Sequence, residues 1–201
     1  MQTSTALENF RKSLEPYAVF NEAEWIVFMQ HLDFKKIKKK KHFIEPGQLC
    51  NEVGFIATGS VRFYHVRDGE EITGYFCLEN EFVSSYKSFL TRQPATHYIQ
   101  ALEDTELITF SYKNLQLMLN NPMLAYKMER FGRLIAEYYL ICYEDRMTSF
   151  VTKTPEERYL DLLSTSKDIF QRIPQHYIAN FLGITPVSLS RIRRRILVSP
   201  S

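Results

Sequence analysis

Residues 174–195 read Pro-Gln-His-Tyr-Ile-Ala-Asn-Phe-Leu-Gly-Ile-Thr-Pro-Val-Ser-Leu-Ser-Arg-Ile-Arg-Arg-Arg, and this stretch decides how the end of the chain folds. Ile178, Ala179 and Leu182 fall on one face of a short helix, with small Ala179 where a second helix crosses closely. Gly183 supplies a tight turn, Ile184 plugs it, Thr185 N-caps the following helix and Pro186 is its first residue. Val187 or Leu189, with Ile192 and Ile196, anchor that second helix. The pattern predicts a helix-turn-helix.

In such a unit the second helix lies in the major groove of duplex DNA with its N-terminal part towards the bases. Ser188 and Arg191 lie on the outward side, and Arg191 has the reach for two hydrogen bonds to a guanine edge. Arg193, Arg194 and Arg195 suit phosphates, which add affinity and salt sensitivity but no sequence reading. The alternative is a solvated C-terminus whose arginines complement the helix dipole. Charge distribution argues against it. No acid follows Asp168, so Arg172, Arg191, Arg193, Arg194 and Arg195 give residues 169–201 a charge of +5. The other 20 basic and all 23 acidic residues give residues 1–168 a charge of −3, a polarity that points to a polyanionic partner.

Upstream, Thr154-Pro155-Glu156-Glu157 is a capping box with Pro at the first helical position. The helix it opens has Tyr159, Leu160, Leu162 and Leu163 as its apolar face and ends near Ser164, so a domain boundary is expected at about 150–154. Before it, Leu124, Met128, Phe131, Ile135, Tyr138 and Cys142 are spaced 4, 3, 4, 3, 4, a heptad seam that predicts a dimer helix over 121–150. The rival reading is a helix buried in its own domain, because Leu134, Tyr139 and Ile141 widen the apolar surface. Phe131, Tyr138, Tyr139 and Tyr143 would line an effector pocket, although such stripes are more often core. Ser111 to Asn120 reads as a short helix broken at Asn121-Pro122. Asn21 to Glu24 is a second capping box, opening a helix over 21–32 with Trp25, Phe28, Met29 and Leu32 on its apolar face.

Between these helices lies a different texture. Five of the seven glycines fall between Gly47 and Gly74, separating runs rich in Val, Ile, Phe and Tyr: Val53 to Ala57, Val61 to Val66, Ile72 to Leu78, His97 to Ala101 and Glu106 to Phe110. Short strands with Gly turns predict a small all-β barrel or roll, with Arg67-Asp68-Gly69-Glu70 as a hairpin tip.

Composition sets the outer limits. The 201 residues are 45% hydrophobic and 24% charged, which excludes disorder and a disulfide miniprotein. No apolar run approaches the roughly 20 residues that span a bilayer, and Met1 to Phe10 has no export signal. A soluble cytoplasmic protein without membrane partners is expected. Cys50, Cys77 and Cys142 are too few and scattered for a disulfide framework. The five histidines never fall at i, i+3 or i, i+4, so no metal motif is visible. No catalytic motif is present either, and no cofactor or enzyme activity is expected. A cupin-like enzyme would need a His cluster on neighbouring strands, for which His65 and His97 alone are too few.

The order of β-roll, long helix and helix-turn-helix resembles the Crp/Fnr family of bacterial transcription regulators over nearly the whole chain. Phe43-Ile44-Glu45-Pro46-Gly47-Gln48 followed by Val53 to Arg62, with Gly54, Gly59, Val61 and Arg62, is similar to the opening of the family's cyclic-nucleotide-binding fold. Ile178 to Pro186 and Leu189 to Arg193 are similar to its DNA-reading motif. The resemblance implies an α+β protein: a double-stranded, cyclic-nucleotide-binding-like β-roll sensor over 1–120 with N-terminal helices, a dimerisation helix over 121–150, and a winged helix-turn-helix over 151–201. It implies a homodimer on a palindromic site in double-stranded DNA, with RNA polymerase as a possible partner. By position, Pro186, Val187 and Arg191 fall where the family touches base edges, and Gln175, His176, Thr185 and Ser188 where it touches the DNA backbone.

The effector site departs from the family pattern. Its Gly-Glu pair for ribose and Arg-Ser or Arg-Thr pair for phosphate correspond here to Ser84-Ser85 and Ala95-Thr96, without the carboxylate and guanidinium of a charge-assisted grip. Tight binding of cyclic AMP is not expected. Ser84, Ser85, Tyr86 and Thr96 remain as polar groups around any surviving pocket, with Ala95 beside them, and Arg92 is the one nearby candidate for a substitute phosphate ligand. No Cys precedes residue 50, so an iron–sulfur version is not expected, and haem ligands are not identifiable. Lys35 to Lys41, with six lysines, reads as a solvated strand edge protected from pairing, or alternatively as a surface for RNA polymerase or flanking DNA. The rival functions are a ligand-binding or scaffold β-roll without sequence-specific DNA binding, and the cupin-like enzyme.

Overall fold

The computed structural model describes residues 2–198. The chain forms two compact units, one of the residues up to His65 with Tyr75–Tyr138, the other of Val66–Gly74 with the residues from Tyr139 onward.

In the first unit, helices α1 (Gln2–Leu14) and α2 (Glu22–Met29) precede a run of short strands. Asn21 caps α2 as its sequence predicts: its Oδ1 accepts from the Glu24 N–H at 2.9 Å, and the Glu24 carboxylate accepts from the Asn21 N–H at 2.7 Å. The strands are β1 (Asp33–Ile37), β2 (His42–Ile44), β3 (Glu52–Thr58), β4 (Val61–Arg67), β5 (Glu70–Cys77), β6 (Phe82–Val83), β7 (Tyr98–Ala101) and β8 (Thr105–Ser111), with α3 (Tyr86–Thr91) between β6 and β7. They form two four-stranded sheets, in the orders β1-β8-β3-β6 and β2-β7-β4-β5. All five expected strand runs are present. β2 follows from the family resemblance alone, while β6 is too short to show a period and the apolar residues of β1 are interrupted by lysines, so those two went unread.

β1 is an edge strand, and the lysine run begins on it. Lys36 sits directly opposite Glu106 of β8 and pairs with it at 2.6 Å, Lys35 pairs with Glu52, and Lys38 with Asp104 at 2.7 Å. Opposite charges across neighbouring strands secure register, while the charge deters a further strand from adding.

Helix α1 packs on β3, so Val53 to Ile56 are buried on both faces of their strand. Phe10 meets Phe55 at 4.8 Å and Phe20 meets Phe28 at 4.8 Å between ring centres, building an aromatic core that continues through Phe82 to Phe131 at 5.3 Å. After β8, Ser111 caps α4 (Tyr112–Leu119) through the Asn114 N–H, and α5 (Ala125–Thr152) follows.

The expected dimer seam is corrected over its first four positions. Leu124, Met128, Phe131 and Ile135 are only 0, 2, 6 and 6% exposed, with Phe131 set edge-on to Tyr17, Phe82 and Phe110. A heptad records that one face of a helix is apolar but not whether a partner helix or the helix's own core covers it. Tyr138 and Cys142 are not buried.

The second unit contains the tail of α5 with α6 (Pro155–Thr165), α7 (Lys167–Arg172), α8 (Gln175–Phe181) and α9 (Pro186–Val198). The Thr154 capping box forms as read, with the Thr154 N–H donating to Glu157 at 2.7 Å. The division between units falls inside α5, at Tyr138–Tyr139, whereas 150–154 was expected. The unit also holds the end of the β4–β5 hairpin, where Asp68 and Gly69 have φ of +54° and +83°, as a two-residue primed turn requires. Between 139 and 198 the described residues contain helices and turns but no strand, so the expected wing is not found there.

Candidate nucleic-acid interface

Helices α8 and α9 pack on each other through the residues that the period selects. Ile178 and Ala179 are fully buried, Leu182 and Leu189 nearly so, and Ile192 is 5% exposed. Of the two alternatives at the start of α9, Leu189 is the anchor, while Val187 is 61% exposed. Gly183 turns the chain at φ +71°, its N–H donating to Asn180 O at 2.9 Å and that of Ile184 to Ala179 O at 3.0 Å. Thr185 Oγ1 accepts from the Ser188 N–H at 3.1 Å and lies 3.0 Å from the Ser188 hydroxyl. This cap satisfies a backbone donor at the N-terminus of α9.

That packing leaves an outward face. Gln175 and His176 at the start of α8, and Thr185, Pro186, Val187 and Arg191 on α9, are exposed, while Ser188 is half-buried. Arg194 is exposed and Arg193 half-buried. Arg195 is also exposed but forms an ion pair with Glu156 of α6, which offsets its charge towards phosphate.

A second set of residues, which the sequence reading did not single out, ties this pair of helices to the end of α5. The Arg146 guanidinium lies over Phe181 at 3.9 Å and over Phe150 at 4.8 Å, and donates to Phe181 O at 3.1 Å. Arg158 also lies over Phe150, at 4.6 Å, and donates to Leu182 O at 3.0 Å and Lys153 O at 2.7 Å. These groups border an open groove of about 520 Å³. Its cations are engaged by aromatic faces and by carbonyls at the C-terminus of α8, where orphan acceptors collect. Within the same unit, the Thr73 N–H of the hairpin donates to the Asn180 side chain of α8. Local spacing could not reveal these contacts, since the partners lie up to 107 positions apart.

In the other unit, the residues expected around an effector pocket differ in burial and in their bonds to the protein. The Ser84 hydroxyl donates to Glu52 O at 3.1 Å, Ser85 and Ala95 are buried, and Thr96 is exposed. Burial pushes the Tyr86 phenol above its ordinary pKa. Arg92, the candidate for a substitute phosphate ligand, is already engaged by the protein. It is held at φ +58°, donates to Cys50 O at 3.0 Å and Phe89 O at 3.1 Å, bonds Asn51, and lies 4.2 Å over Tyr112. The guanidinium ties the end of α3 to the segment just before β3 and to the start of α4. On another part of the roll, burial and then the neighbouring His65 hold the His97 imidazole below its usual pKa.

Residues 34–121 match the family of the cyclic nucleotide-binding domain. The β-roll is thus similar to a cyclic nucleotide-binding domain. Solved structures extend the likeness over both units. A protein described as a crp/fnr-family transcriptional regulator from Eubacterium rectale superposes with a TM-score of 0.68 at 19% identity, covering 89% of this chain and 84% of its own. The c-di-GMP-responsive global regulator CLP of Xanthomonas campestris gives 0.66 at 17%, covering 85% and 88%. FixK2 of Bradyrhizobium japonicum gives 0.65 at 19%, covering 82% and 84%. At these identities the likeness establishes the fold. No curated protein sequence matches the chain. Among the described residues no helix is long and apolar enough to cross a membrane.

Proposed function

We propose that the chain is a homodimeric transcriptional regulator of the Crp/Fnr type that reads a palindromic DNA site through α9, with a sensor domain whose nucleotide site has degenerated. The observation that carries this reading is the division of α9 into two faces. Leu189 and Ile192 are packed inward, while Val187 and Arg191 project outward beside the exposed Thr185 cap. Arg191 serves as the principal base reader, and Pro186 and Val187 offer only apolar contact, as to a thymine methyl. Gln175, His176, Thr185 and Ser188 hold the backbone, and Arg193 and Arg194 add phosphate attraction.

The second copy docks on the face of α5 that the protomer leaves in solvent. Leu140, Tyr143, Met147 and Val151 are 68, 63, 71 and 80% exposed and are spaced 3, 4, 4, close to the seam of a two-helix interface. Apolar side chains so exposed gain from burial, at roughly 25 cal/mol per Å². Two α9 helices would then enter successive major grooves one helical turn apart.

Selection of bound duplexes from random DNA, with and without cyclic AMP, tests the reading. An inverted repeat recovered without ligand is expected. Recovery only with cyclic AMP would refute the degenerate pocket, and no enrichment in either pool would favour a binding module or enzyme.

A further inference from the structure

The histidines of this chain are scattered in sequence, but antiparallel pairing brings two of them together. Tyr64 of β4 sits opposite Tyr98 of β7, and continuing that register by one residue sets His65 opposite His97. Their ring centres are 5.6 Å apart. Two imidazoles that share one metal ion, each with a metal–nitrogen distance of about 2.0–2.1 Å, place their ring centres about 4.5–6.3 Å apart. The pair already has that spacing.

The two rings also have suitable surroundings. His97 Nε2 is buried and has no hydrogen-bond partner, which a native structure seldom leaves without a use. His65 is exposed and gives access from solvent. Phe63, 5.8 Å from His97 and 6.1 Å from Tyr75, walls the pair on one side. His42 makes the contrast: its Nε2 lies 3.0 Å from the Tyr64 hydroxyl and its Nδ1 2.8 Å from Glu45, so both nitrogens are occupied by protein.

We propose that His65 and His97 form a two-imidazole chelate for a borderline divalent transition-metal ion of the Zn²⁺, Ni²⁺ or Cu²⁺ class. Imidazole suits these ions, and the cross-strand position holds both donors on a rigid sheet. Among the described residues no group of three or more His, Cys, Asp or Glu is placed to hold a metal, so water completes the coordination and the site is open. This proposal does not depend on DNA binding.

Untagged full-length protein, stripped with chelator, is titrated with Cu²⁺ and followed by calorimetry and electron paramagnetic resonance. One equivalent per chain is expected, with hyperfine structure from two equatorial nitrogens. His65→Ala, at an exposed position, should lose one nitrogen and weaken binding by about tenfold or more, the scale associated with losing a metal-site contact. His97→Ala should do the same, and His42→Ala should match the wild type. Unchanged binding and spectrum in His65→Ala would overturn the assignment, as would the absence of stoichiometric binding in the wild type. Because His65 lies on the surface, the test stands even if His97→Ala does not fold.

Discussion

Replacing Gly183 by Ala tests the turn on which the position of α9 depends. Two separable costs arise. Gly183 has φ +71°, and an L-residue in that left-handed region is disfavoured by roughly 1–2 kcal/mol. The new methyl would also sit 2.9 Å from Phe150 Cε1, well inside ordinary carbon contact, so the ring must move and loosen its stack with Arg146 and Arg158. Overpacking of that kind costs about 1–3 kcal/mol. The sum, about 2–5 kcal/mol, is expected to lower the melting transition of the second unit by on the order of 10 °C or more, at roughly 4–8 °C per kcal/mol for a unit of this size. Calorimetry and circular dichroism of wild type, Gly183→Ala, Phe150→Ala and the double variant give the cycle. In the Phe150→Ala background the contact part of the penalty should vanish while the backbone part of about 1–2 kcal/mol remains. A Gly183→Ala protein as stable as wild type would refute the account of this turn. Strict additivity in the cycle would refute the Phe150 contact.

Arg191→Ala should cost about 1–3 kcal/mol of discrimination at one base position of each half-site, roughly 5- to 150-fold, with little change in melting temperature. Parallel selections with the two proteins check this. Leu140→Asp with Met147→Asp places charge on the exposed face of α5 without opening the protomer core, since both side chains are already in solvent. Sedimentation equilibrium should then report a monomer, and an unchanged dimer would remove this face from the interface. Burial raises the Glu81 pKa above 4.5, against the opposing pull of its 2.6 Å bond from the Leu78 N–H. The folded state therefore holds the Glu81 proton more tightly than the unfolded chain does. Its contribution to stability is complete below the unfolded pKa and is lost as pH rises through the raised folded pKa. Glu81→Gln keeps the acceptor oxygen, so its melting temperature should gain on the wild type as pH increases through that window.

The legible parts of this fold are those whose cause is local. Asn21, Ser111 and Thr154 cap their helices because a side-chain oxygen three positions before a backbone N–H is a property of neighbouring residues. Asp68-Gly69 forms its turn for the same reason. The faces of α8 and α9 also followed from period alone, and the exposure of Val187 resolved the single ambiguity. What escaped depends on partners distant in sequence. Phe131 and Ile135 read as a seam because periodicity cannot say what covers an apolar stripe. Arg92 read as a possible phosphate ligand because sequence does not reveal that Cys50 O, Asn51 and Tyr112 claim its guanidinium first. Local spacing likewise hid the pairing of His65 with His97, 32 positions apart.

The boundary inside α5 connects these findings. The helix tail that presents Leu140, Met147 and Val151 belongs to the same compact unit as α9. Arg146 and Arg158 join that tail to the C-terminus of α8 through Phe150, Phe181 and the carbonyl of Leu182. If the second copy docks on this face, each recognition helix is carried by the interface itself, with Lys153 O at the helix end held by Arg158. A flexible joint at 153–154 would have to break those contacts, including a cation stacked against an aromatic ring worth about 0.5–2 kcal/mol. Half-site spacing then follows from the packing of two α5 tails, and an effector would alter DNA reading chiefly by changing that packing rather than by releasing α9 from it.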